Sequence, residues 1–170
     1  NTSMDDLDIS LNLASLNVAS LNPFFHESIA GLAGSLEGGL QIYGPLNSWE
    51  SRGEVYWRQG EIEIPLLGAQ FAVVEESSIS ITHEGFQLDS IGLVSRIDQT
   101  KALAWGSILH RQLSEFGLDI HLSTDSLLAM NKPRNAEDMF YGRAVAAGTM
   151  DLVGPVEQLQ LNVQATTKEG

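Results

Sequence analysis

Apolar and polar residues alternate at period two along nearly the whole chain. Asp6-Leu7-Asp8-Ile9-Ser10-Leu11-Asn12-Leu13 sets the pattern. Gly60-Glu61-Ile62-Glu63-Ile64, Ser78-Ile79-Ser80-Ile81-Thr82 and Leu118-Asp119-Ile120-His121-Leu122 repeat it. Successive side chains of a β-strand point to opposite faces, so each run has one apolar and one wet face. The alternation predicts strands over 5–14, 15–21, 32–44, 52–59, 61–66, 69–75, 77–83, 85–94, 101–110, 115–123, 143–153 and 158–166. Turn chemistry separates them at Asn22-Pro23, Gly44-Pro45, Arg58-Gln59-Gly60, His83-Glu84-Gly85 and Gly154-Pro155. Short connections favour an antiparallel meander, because parallel pairs need long crossovers. Asn131-Lys132-Pro133-Arg134-Asn135 reads as a loop, followed by a helical turn over 136–141 capped by Asn135.

The chain also echoes itself. Gly38-Gly39-Leu40-Gln41-Ile42-Tyr43-Gly44-Pro45-Leu46 parallels Gly148-Thr149-Met150-Asp151-Leu152-Val153-Gly154-Pro155-Val156 at a constant offset of 110 positions. Each copy is a strand closed by a Gly-Pro turn and followed by another strand. Repetition of such a unit suggests a sheet that grows by addition.

Composition narrows the function classes. The 170 residues carry a net charge of −13. That charge argues against nucleic acid, which needs Lys and Arg on its phosphates, and against docking on an anionic membrane surface. Cysteine is absent, which excludes disulfides, thiol catalysis and thiolate metal sites. No run approaches the roughly 18 consecutive apolar residues of a membrane span. The first residue is Asn1 and no signal-like stretch follows it, so the chain reads as a piece of a longer protein.

Catalytic and metal chemistry find little support. There is no Gly-x-Ser-x-Gly, phosphate loop or His-Glu-x-x-His. Of His26, His83, His110 and His121, only His121 shares a face with a nearby acid, Asp119. A solvated sheet face explains that pair better than a metal site. Glu61 and Glu63 solvate an outer wall, His83-Glu84 suits a surface turn, and Glu75-Glu76-Ser77-Ser78 is a polar turn. Trp57 alternates with Val55 and is expected in the interior, whereas Trp49 stays unassigned. No enzyme activity, cofactor or metal is expected.

Several blocks resemble the C-terminal domain of the TamB family, the inner-membrane subunits of the translocation and assembly module, within the AsmA-like superfamily. They are Leu21-Asn22-Pro23-Phe24-Phe25, residues 34–46, residues 53–65 with Leu67-Gly68, Phe116-Gly117-Leu118-Asp119-Ile120, Phe140-Tyr141-Gly142-Arg143-Ala144 through Gly148, Gly154-Pro155, and Ala165-Thr166-Thr167. They span nearly all of the chain in the family's order. Residues 102–110 depart from the pattern, because Leu103 and Trp105 weaken the apolar–glycine alternation and leave the facing of that strand open.

The resemblance implies an all-β fold: a long curved sheet folded into a β-taco, an open gutter with an apolar interior. Residues 1–170 would be one segment of that longer domain. It further implies a periplasmic location in a Gram-negative bacterium and a full-length protein anchored in the inner membrane. The partners would be phospholipid acyl chains and a BamA/TamA-like outer-membrane barrel, and the fragment would self-associate through strand edges. The implied function is carriage of phospholipid between the two membranes. The alternatives are a scaffold for outer-membrane β-barrel and autotransporter assembly by strand pairing, and a β-sandwich binding module. Alternation assigns the groove lining to Leu7, Ile9, Leu11, Leu13, Leu40, Ile42, Val55, Trp57, Ile62, Ile64, Phe71, Val73, Ile79, Ile81, Phe86, Leu88, Phe116, Leu118, Ile120, Leu122, Met150, Leu152, Leu161 and Val163. The opposite face carries Asp8, Ser10, Asn12, Glu54, Glu61, Glu63, Asp89, Asp119 and His121.

Overall fold

The computed structural model describes residues 6–24, 31–65, 67–74, 77–111, 114–135 and 141–169. Its strands are β1 (Asp6–Asn17), β2 (Gly31–Pro45), β3 (Glu50–Ile64), β4 (Ala69–Val73), β5 (Ser78–Ile81), β6 (Gly85–Ser95), β7 (Lys101–Arg111), β8 (Ser114–Lys132), β9 (Gly142–Pro155) and β10 (Gln160–Glu169). All belong to one ten-stranded sheet in the order β1-β2-β3-β4-β6-β7-β8-β9-β10, with β5 filling a place between β3 and β6. Every pairing is antiparallel. A sandwich requires two facing sheets, and these strands form one.

The elements differ from the sequence expectation in three places. Residues 52–59 and 61–66 were expected as two strands, but 52–59 and 61–64 lie in the single strand β3. The Arg58-Gln59-Gly60 signal is a kink inside it, where Gln59 has φ 48° and the register with β2 shifts. A β-bulge thus uses the residues of a turn without ending the strand. The expected strand over 15–21 is instead the end of β1 and a 3-10 helix, Val18–Phe24. Asn22 in that helix accepts from the Leu32 N–H at 2.8 Å and donates to the Leu32 carbonyl at 3.1 Å, standing in for a strand residue beside β2. Strand β8 extends to Lys132 and absorbs the start of the expected loop. The expected helical turn lies outside the described residues except for Tyr141, as do His26, Glu75 and Glu76.

The sheet curls toward one face. Trp57 of β3, Phe71 and Val73 of β4, Ile91 and Leu93 of β6, Ala102 and Ala104 of β7 and Leu127 of β8 share one buried cluster, joined by Val18 of the 3-10 helix. Strand β4 and the end of β8 are not neighbours in the sheet, yet the Asn131 N–H donates to the Leu67 carbonyl at 2.9 Å. One end of the molecule is therefore closed on a packed core. The other end carries the Gly44-Pro45 and Gly154-Pro155 turns, and apart from Ile81 its apolar side chains are half-buried or exposed.

The self-similarity seen in the sequence is a similarity of structure. Strands β2 and β3 pair with Gly38 opposite Val55, Gly39 opposite Glu54 and Tyr43 opposite Glu50. Strands β9 and β10 pair with Gly148 opposite Ala165, Thr149 opposite Gln164 and Val153 opposite Gln160. Each pair of the second hairpin is the first shifted by 110 positions. A Cβ on Gly38 would lie 2.2 Å from the Glu54 carbonyl oxygen, and one on Gly148 would lie 2.1 Å from that of Gln164. Both glycines have positive φ, 150° and 145°, so both positions exclude side chains for the same reason.

Candidate functional site

Residues directly opposite in an antiparallel ladder share a face. The register therefore assigns faces across the whole sheet. From Leu11 it runs through Leu40 and Gly53 to Ile81 and Phe86. It continues through Ile108 and Leu118 to Gly154. A parallel line passes from Leu88 through Gly106, Ile120 and Leu152 to Leu161. Followed in this way, all of the lining positions expected from sequence fall on one face of the sheet. The acidic and polar set, Glu54, Glu61, Glu63, Asp119 and His121 among them, falls on the other.

Burial divides that apolar face. Val55, Trp57, Phe71, Val73 and Ile81 are buried among other protein atoms. Ile62, Ile64, Ile79, Leu88 and Leu122 are partly buried and pack against the core cluster. Leu7, Leu13, Leu40, Ile42, Phe86, Phe116, Leu118, Ile120, Met150 and Leu152 are half-buried. Ile9, Leu11, Leu161 and Val163 are exposed, the last two at 59% and 56%. The accessible apolar surface thus lies toward the Gly-Pro end and along the two outermost strands. The Trp57 indole meets the need of a buried polar group by donating to the Ala33 carbonyl at 2.9 Å.

Strand β7 shows why its facing was hard to read. Ala102, Ala104 and Gly106 point inward, while Leu103 and Trp105 are exposed on the outer face. Each small residue lies between large neighbours: Ala104 between Ile91 and Leu122, Gly106 between Leu88 and Ile120. At Gly106 the neighbouring backbone excludes a side chain: with φ 133°, an added Cβ would lie 2.0 Å from the Asp119 carbonyl oxygen.

Sequence reasoning missed Ile91, Leu93 and Leu127. Register shifts between Leu88 and Ile91, and between Thr124 and Leu127, change which parity faces inward. The switch from even to odd aliphatics within Phe86-Gln87-Leu88-Asp89-Ser90-Ile91-Gly92-Leu93 is the signal that would have found the first.

The outer face is a lattice of polar contacts. Arg52 donates twice to the Gln41 side chain and lies over the Tyr43 ring. Arg58 pairs with Glu37, and Arg96 with Glu61. His121 sits between two carboxylates, Nδ1 2.7 Å from Asp151 and Nε2 3.1 Å from Asp119, with its ring stacked on Trp105. The hydrogen bond to Asp151 raises its pKa above 6.5; partial desolvation opposes this, and the Asp119 charge adds to the rise. Among the described residues no group of three or more His, Asp or Glu is arranged to hold a metal ion. No helix among them is long and apolar enough to cross a membrane.

No protein-family description, curated protein or solved structure matches this chain.

Proposed function

We propose that the chain is a periplasmic segment of a phospholipid conduit between the inner and outer membranes, with acyl chains carried on its inner face. The observation that carries this reading is the mainly apolar face that the register carries across the sheet and that is partly accessible toward the Gly-Pro end. The resemblance to the TamB family points the same way. Moving an acyl chain of about sixteen methylenes into water costs on the order of 13 kcal/mol, at about 0.8 kcal/mol each. An aliphatic trough removes most of that cost along its length, and it needs neither a reactive residue nor a tight pocket. The Ile9–Ile42 and Ile120–Leu152 pairs form its floor, while the packed cluster around Phe71 and Leu93 supports the curvature.

The test is to extract the purified protein with organic solvent and analyse the extract by mass spectrometry. Phospholipid should co-purify with the native chain. Ile120→Arg sets a charge on the inner face beside Gly106 and Leu152 and should lose most of that lipid while the strand content by circular dichroism is unchanged. Absence of lipid from the native chain would turn the reading toward the scaffold, in which the sheet edges pair with nascent outer-membrane strands.

A further inference from the structure

The face assigned to the acyl chains is aliphatic or aromatic at every lining position expected from sequence. An ionisable side chain stands among them at the Gly-Pro end. His110 follows Leu109, which shares one register line with Gly117 and Pro155. Its ring lies between two lining residues, with centroids 5.6 Å from Phe86 and 6.0 Å from Phe116. Interplanar angles of 63° and 69° make both contacts edge-to-face. The three rings form a row across β6, β7 and β8, and all three are half-buried. The His110 backbone N–H donates to the Glu84 carbonyl at 3.0 Å, which ties the end of β7 to the turn before β6. Ring and backbone are therefore both held in place.

A lipid on this face poses a problem that aliphatic side chains do not solve. Acyl chains gain by leaving water, but a phosphodiester is charged, and burying it without a donor is costly. The phosphate must lie where the apolar face meets water, at the strand ends. A side chain with an apolar body and a polar tip suits such a boundary. Imidazole keeps an N–H donor whether neutral or protonated, and hydrogen bonds to charged acceptors are among the strong ones.

We propose that His110 is a headgroup contact: its imidazole N–H donates to a phosphodiester oxygen, while Phe86 and Phe116 fix the ring and meet the acyl methylenes nearest the headgroup. This contact depends on the inner face carrying lipid. The surroundings favour a zwitterionic headgroup. Both signs of charge stand beside His110, with Arg111 and Glu115 3.4 Å apart and Glu84 in the adjoining turn. The net charge of −13 repels an anionic lipid. A phosphoethanolamine group carries an anion and a cation and matches this setting.

The test compares short-chain phosphatidylethanolamine with the diacylglycerol of the same acyl chains, each kept below its aggregation limit, as competitors of a fluorescent acyl probe bound to the purified chain. The phospholipid should bind roughly tenfold tighter, as one hydrogen bond to a charged group allows. His110→Phe, which keeps the aromatic row, should bring the two affinities together. His110→Gln, which keeps an N–H donor, should hold part of the preference. His121→Gln, on the outer face, should keep all of it. Equimolar inorganic phosphate should leave the preference intact. Equal affinities in the native chain, a preference that survives His110→Phe, a glutamine variant no better than phenylalanine, or a preference erased by inorganic phosphate would each overturn the headgroup contact and leave the lipid trough standing. A native chain that binds neither lipid overturns the trough, and the contact with it.

Discussion

At single positions, backbone approach and hydrogen bonding decide what is tolerated. Gly38 and Gly148 combine positive φ with a carbonyl oxygen about 2 Å from any added Cβ. Gly38→Ala and Gly148→Ala should each lower unfolding free energy by about 1–3 kcal/mol in urea denaturation. Gly39→Ala should be nearly neutral, since its nearest neighbour would be the Leu11 carbonyl oxygen at 4.0 Å. Equal costs at Gly38 and Gly39 would contradict the account of the repeat. His121 gives a second prediction. Its pKa is raised by Asp151 and Asp119, so its ion pairing stabilises the fold fully below about 6.5, the value for the unfolded chain. That contribution disappears as pH rises through the raised folded value. The stability advantage of the native chain over His121→Gln should therefore shrink across this range, and denaturation of both at a series of pH values would show it. A difference independent of pH would place the contribution in packing against Trp105 instead.

Among the elements, burial ranks the strands by how much they hold the sheet together. Leu93 of β6 is buried in the core cluster, and Leu93→Ala should cost about 2–5 kcal/mol through the cavity it leaves. Leu161 of β10 is exposed, and Leu161→Ala should change stability by roughly half a kcal/mol or less. Thermal or urea unfolding of the two variants compares them directly. These strands also show how far the sequence could be read. Period-two alternation located most of them, and the 110-position echo marked two equivalent strand–turn–strand units. It failed at bulges, because one extra residue reverses facing without altering hydrophobic content. Ile91, Leu93 and Leu127 were lost in this way, and Gln59 made one strand look like two. Strand β7 was ambiguous because curvature, which no local pattern encodes, decides that its small residues face inward. The later part of the expected 15–21 strand is a 3-10 helix from Val18, where Val18 is buried in the core, a tertiary contact that outweighs strand propensity.

For the molecule as a whole, two consequences follow from one sheet curling toward its apolar face. The closed end, where Leu67 and Asn131 join β4 to β8, is filled by side chains and supports the shape. The Gly-Pro end leaves aliphatic side chains accessible, and the proposed lipid binding belongs there. A photo-crosslinking amino acid placed singly at Ile120, Asp119 and Leu93, irradiated with phospholipid vesicles, separates these surfaces. The account predicts phospholipid adducts from position 120 only, because 119 faces outward and 93 lies within the packed cluster. Equal labelling at 119 and 120, or labelling at 93 alone, would contradict it.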